Sequence, residues 1–114
     1  MLFRSVTPDA LTPRALAERD RGFRYDLTMT ASVNGQEISR GNAADMHWTF
    51  AELIARASRN VTLLPGDLIG SGTVGTGCLT EFPAGTYPWL QPGDRVTLNV
   101  DELGTLETTI AASD

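Results

Sequence analysis

Hydroxyls set among glycines are the features of this sequence best suited to binding or chemistry. In Leu64-Pro65-Gly66-Asp67-Leu68-Ile69-Gly70-Ser71-Gly72-Thr73-Val74-Gly75-Thr76-Gly77, four glycines fall within eight residues and Ser71, Thr73 and Thr76 stand between them. Glycine removes side-chain cover from the backbone, so the stretch offers free N–H groups and hydroxyl donors to a small ligand. A carboxylate or an oxyanion suits such donors. Gly70-Ser71-Gly72-Thr73-Val74-Gly75 also fits GxGxxG, but that fingerprint needs a helix to begin at its last glycines and face pyrophosphate. Here Gly77, Pro83, Gly85, Pro88 and Pro92 follow, and neither a helix nor a βαβ unit fits.

The other reactive residues are few. The chain has no Lys, which removes Schiff-base chemistry and a Lys general base. One Cys and one His exclude an internal disulfide and a Cys- or His-rich zinc site. Cys78 has no base nearby in sequence and reads as a buried thiol. His47, beside Trp48, reads as structural or exposed. Asp45 precedes a helix start, where a carboxylate more often forms a local turn or cap than binds a metal.

Composition narrows the partners. A chain of 114 residues suffices for one domain, and 41% hydrophobic residues indicate a folded chain. Nine scattered Arg within a net charge of −5 give no basic stripe, so no nucleic-acid partner is expected. No apolar run reaches the roughly 20 residues of a membrane span, and the N-terminus lacks a signal-peptide core. A cytoplasmic, soluble protein without a membrane partner is the expectation.

The elements that must hold the glycine stretch can be read in order. Residues 1–24 read as a linker or extended segment: prolines 8 and 13 push their neighbours out of the helical region, and Arg14 to Arg21 could form two helical turns at most. Residues 25–114 carry the fold. Tyr25, Leu27, Met29, Ala31 and Val33 alternate with polar residues as a half-buried strand does. Asn34-Gly35 makes a type I′ hairpin, with Gln36 to Arg40 returning. After a loop, Thr49 and Glu52 form a capping box for a helix over Phe50 to Asn60, with Asn60 as a left-handed stop. Phe50, Leu53, Ile54 and Ala57 share one helical face, expected to pack on a sheet.

Pro65-Gly66 is then a tight turn and Leu68-Ile69 the start of a strand. Cys78 to Pro92 is irregular, with Tyr87 and Trp89 covering the core or a dimer face. Pro92-Gly93-Asp94 repeats the earlier turn and launches a strand over Arg95 to Val100. Glu102-Leu103-Gly104 turns into a last strand, Thr105 to Ile110. The fold class is mostly β with one helix (α+β).

Val33-Asn34-Gly35, Gly41-Asn42-Ala43-Ala44-Asp45-Met46, Ala51-Glu52-Leu53-Ile54, Leu64 to Thr73, Leu90-Gln91-Pro92-Gly93-Asp94-Arg95-Val96 and Leu103-Gly104-Thr105-Leu106 occur in one order. That order resembles the fumarylacetoacetate hydrolase family, over roughly Val6 to Ile110, in the C-terminal portion of its catalytic domain. The resemblance implies a mixed β-roll, incomplete here, around a divalent metal, usually Mg²⁺, often in homodimers. It implies cleavage or rearrangement of C–C bonds in acylpyruvates and related β-dicarbonyl acids, by hydrolysis, decarboxylation or isomerisation. The family's Gly-Thr places a threonine beside the substrate, which makes Gly72 and Thr73 the substrate-binding residues. Its metal ligands, a Glu-x-Glu pair and an Asp, and its Lys precede the matched segment, and this sequence has no Glu-x-Glu. No catalytic residue, metal ligand or Mg²⁺ binding is therefore assigned to this chain alone. The expected partners are a small-molecule acid and a second copy or a complementing subunit. The alternative is a non-catalytic small-acid-binding or assembly subunit with the same half-fold.

Overall fold

The computed structural model describes residue 11, residues 16–19 and residues 22–112, with side chains described at residue 11 and from residue 23 onward. The reading of residues 6–10 and 12–13 as extended chain lies outside them. Two antiparallel sheets and one helix form the fold. β1 (Leu16–Arg19) pairs with β2 (Gly22–Tyr25) as a two-stranded sheet, so the possible helix near Arg14 to Arg21 is replaced, over 16–19, by a strand. The alternating run from Tyr25 is broken at Asp26-Leu27. Leu27 turns inward at 4% exposure, and the strand resumes as β3 (Thr28–Val33).

β3 is the hub of the four-stranded sheet, which runs in the order β4-β3-β5-β6 with β4 (Gln36–Asn42), β5 (Arg95–Val100) and β6 (Gly104–Thr109). Asn34 and Gly35, at φ 51° and 83°, make the expected tight hairpin into β4. Ala31 opposes Ser39 while Ser32 opposes Glu37, which leaves Ile38 as a one-residue bulge. Directly opposed residues share a face, so Met29 with Val100, Ala31 with Leu98 and Val33 with Val96 make an apolar face. Thr30, Ser32, Thr97 and Asn99 lie on the polar face.

The helix α1 (Phe50–Ala57) starts as its sequence dictates. Glu52 N–H donates to Thr49 Oγ1 at 3.2 Å, and Thr49 N–H donates to Glu52 Oε2 at 2.8 Å. It ends sooner than Asn60: Ser58 closes it in right-handed conformation, and Asn60 is not left-handed. No residue of α1 is fully buried. Instead of lying on the large sheet, the helix meets β2, where the Tyr25 and Phe50 rings stand 5.8 Å apart.

Both Pro-Gly turns close in the same way. Asp67 N–H donates to Leu64 O and Asp94 N–H to Gln91 O, each at 3.0 Å, with Gly66 and Gly93 at φ 102° and 95°. Each Asp carboxylate also accepts from the backbone N–H three residues earlier, at 2.8 and 2.7 Å. Only the second turn leads into a strand. After the first, Leu68 is 97% exposed and residues 68–74 have no ladder partner among the described residues, so the strand expected at Leu68-Ile69 is absent. The core is correspondingly small: Leu27 and Ala44 are the buried apolar residues among those described, while Leu98 and Leu106 remain 44% and 39% exposed on the apolar face. Trp89 is exposed, and Tyr87 packs edge-on against Phe82 with 4.8 Å between centroids.

Candidate functional site

A cleft of about 1040 Å³ opens between the apolar sheet face, α1 and the glycine stretch. Met29, Val100 and Leu103 form its floor, and Phe50, Leu53 and Ile54 of the helix one wall. Asn42, Ala43 and Asp45 to Trp48 line it too, as do Ser71, Gly72, Thr73, Val74 and Gly75. The exposed apolar face of α1 thus borders this cleft.

Val74 anchors the glycine stretch to β4. A Cβ on Gly41 would lie 2.5 Å from Val74 Cγ1, so only glycine lets the valine seat there. One residue pair further along, the hydroxyls of buried Ser39 and Thr76 hydrogen-bond at 3.1 Å. Thr76 takes φ 71°, and Gly77 N–H closes the turn onto Val74 O at 2.9 Å. On the other side of this anchor the chain is open. Gly72 has φ 93°, and a Cβ at Gly70, Gly72 or Gly75 would meet nothing within 4 Å. Gly70 to Thr73 make no backbone hydrogen bond among the described residues. Thr73 and Gly72 are exposed at the cleft, with Ser71 next to them. The backbone N–H groups there, without a backbone partner among the described residues, and the Thr73 hydroxyl are donors of the kind a carboxylate, whose oxygens are acceptors only, can use.

The segment from Asn42 to His47 brings polar groups to the cleft. A three-residue 3-10 turn, Ala43–Asp45, is capped by Asn42, whose Oδ1 accepts from Ala44 N–H at 2.8 Å and whose Nδ2 donates to Asp26 at 2.7 Å. Asp45 lies exposed in that turn, which is capped by Asn42 and not by Asp45. Arg40 also borders the cleft, but Glu37 holds its guanidinium at 2.7 Å and raises its pKa. His47 is exposed and edge-on to Trp48, 4.6 Å between centroids.

Mg²⁺ needs near-octahedral oxygen ligands, commonly from one or two carboxylates completed by water and substrate. Asp45 is the carboxylate lining the cleft, and the described residues contain no group of three His, Cys, Asp or Glu able to hold an ion. The residues present do not fit the metal on their own. The dinucleotide fingerprint lacks its context as well: Gly75 and Thr76 form a turn, and the next helical residues are the short 3-10 segment Leu79–Glu81.

Cys78 departs from the buried thiol expected of it. It is exposed, with Sγ 3.1 Å from Thr80 Oγ1. That hydrogen bond, and one from the Thr80 backbone, lower the thiol pKa. Arg24, which the sequence places at the end of the linker segment 1–24, reaches two backbone carbonyls beside the cleft with its guanidinium. Among the described residues no helix is long and apolar enough to cross a membrane.

The model of the fumarylacetoacetate (FAA) hydrolase C-terminal family matches residues 3–111. Uncharacterized proteins of Staphylococcus aureus strains USA300 and N315 are 39% identical over 87 residues, which is 75% of this chain and 28% of theirs. The crystal structure of maleylpyruvate hydrolase from Sphingobium sp. SYK-6 superposes with a TM-score of 0.64 at 28% identity, over 95% of this chain and 33% of that one. A putative HpcE protein from Mycobacterium smegmatis gives 0.68 at 24% identity, over 94% and 35%, a likeness of fold. The chain spans about a third of the length of these relatives.

Proposed function

The chain belongs to the fumarylacetoacetate hydrolase family, and from that premise we propose that it forms the C-terminal part of a catalytic unit that cleaves a C–C bond in acylpyruvate-type acids. The observation that carries the reading is the open Ser71-Gly72-Thr73 backbone at a mostly apolar cleft. The likeness to a maleylpyruvate hydrolase supports a keto acid as the substrate class.

In this reading Gly72 and Thr73 receive the substrate carboxylate, with Thr73 Oγ1 and the local N–H groups as donors. The apolar walls carry the acyl part and keep bulk water away. Hydrolysis adds water to the acyl carbonyl. The bond to the methylene breaks, and its electron pair enters the enolate of the departing keto acid, which then takes up a proton. The developing enolate needs an electron sink. Since the described residues do not fit a metal, that sink comes from a complementing segment or subunit, which also covers the open sheet face around Leu98 and Leu106.

The second reading is a non-catalytic subunit that binds a small acid through the same glycines, favoured by the lack of a gathered metal-ligand group among the described residues. Assaying the purified 114-residue chain with acetylpyruvate and Mg²⁺, alone and with candidate complementing proteins, separates the two. Turnover in either mixture, lost on Thr73→Val, supports the enzyme. Keto-acid binding at Thr73 without turnover in any mixture supports the binding subunit.

A further inference from the structure

Arg24 does work at the cleft that neither the alternation of β2 nor the family match assigns to it. From β2 its Nη1 donates to Ala44 O at 3.1 Å and its Nη2 to His47 O at 2.8 Å. Ala44 lies within the 3-10 turn, whose short length leaves carbonyls without an internal partner. The acceptors bracket Asp45 and Met46, which line the same cleft as Thr73. Arg24 itself does not line the cleft, and its Nε is buried with no hydrogen-bond partner. An arginine normally spends that donor in a fork on a carboxylate. Here the geometry of the other two nitrogens has been kept at the expense of the third, so the wall contacts set where the guanidinium lies.

We propose that Arg24 is a positioning residue, a two-point clamp from β2 that fixes the Ala44–His47 wall at the distance from Thr73 that the acid site requires. The inference rests on the reading of the cleft as a keto-acid site. Lysine cannot replace the fork, because a single ammonium is a point donor that does not span both carbonyls. The wall carries its own reporters. Ala44 N–H is held by Asn42 Oδ1 at 2.8 Å and Met46 N–H by Ala43 O at 3.3 Å.

The test uses the full chain and its R24Q and R24K variants, with amide hydrogen exchange and pyruvate titration both read by NMR. In R24Q the Ala44 and Met46 amides should exchange about tenfold faster or more while the amides of β3 and β5 keep their protection. R24K should fall between R24Q and the parent. The pyruvate dissociation constant should rise about tenfold in R24Q with Thr73 unchanged in sequence, an effect that a merely structural role in the hairpin would not produce. Unchanged exchange at Ala44 and Met46 in both variants overturns the clamp. So does an equal loss of protection through β3 and β5 in both, which would make Arg24 a folding residue. If the parent chain does not bind pyruvate, the acid reading of the cleft falls, while the exchange arm still decides the clamp.

Discussion

Replacing Asn34 tests how the β3–β4 hairpin is tied to β5. Asn34 sits at φ 51°, its N–H donates to Arg95 O at 2.8 Å, its Oδ1 accepts from Arg95 N–H at 2.9 Å, and its Nδ2 donates to Asp94 Oδ1 at 2.8 Å. Alanine in a left-handed position costs roughly 1 kcal/mol more than asparagine. Loss of the acceptor for Arg95 N–H removes about 0.5–1 kcal/mol at an exposed site. Asn34→Ala should therefore lower the unfolding free energy by about 2 kcal/mol, and Asn34→Gly, which tolerates the turn, by about 1 kcal/mol. Urea unfolding followed by far-UV circular dichroism reads both. A loss under roughly 0.5 kcal/mol for alanine, or equal losses for alanine and glycine, refutes the division into a turn part and a side-chain part.

The same contact gives a pH dependence. Gln91 N–H first, and the Asn34 amide second, hold the Asp94 carboxyl below its ordinary value. A depressed folded pKa adds stability above the unfolded value and loses it as pH falls through the folded one. The gap in urea midpoint between the parent and Asn34→Ala should shrink from about pH 6 to about pH 3, and a constant gap would contradict this. Gly41→Ala should drive Val74 off β4 and cost about 1–3 kcal/mol, with Gly41→Ala/Val74→Ala recovering most of it in thermal unfolding. Gly72→Ala should cost about 1–2 kcal/mol through its φ of 93°, whereas Gly70→Ala, with open space and no positive φ, should be close to neutral in the same melt. Cys78 should alkylate in the native state, and Thr80→Val should raise the pH midpoint of alkylation.

What was legible in the sequence was local. Thr49 with Glu52, Asn34-Gly35 and the two Pro-Gly-Asp turns each fix their conformation within four residues, and each appears as read. So does β5, where Val96, Leu98 and Val100 keep period two. The failures are those in which a distant partner decides. Leu68-Ile69 has strand composition but no ladder partner among the described residues, and Leu16–Arg19 became a strand because β2 pairs with it. Helix α1 stops at Ala57 although Asn60 could have closed it, and Cys78 is exposed where the sequence suggested a buried thiol. At the cleft, glycine and hydroxyl composition marked the stretch from Gly70 to Gly77, and the family resemblance singled out Gly72 and Thr73 within it. Arg24 could not, since an arginine at the end of a segment read as a linker says nothing about which carbonyls it will meet twenty residues later.

Carboxylate binding at Ser71 to Thr73 can be read by titrating the ¹⁵N-labelled chain with pyruvate at constant ionic strength, with chloride as the control. Saturable amide shifts are expected at Ser71, Gly72 and Thr73, absent with chloride and weakened by Thr73→Val. No saturable shift there, or shifts confined to exposed arginines such as Arg56 and Arg59, would contradict it.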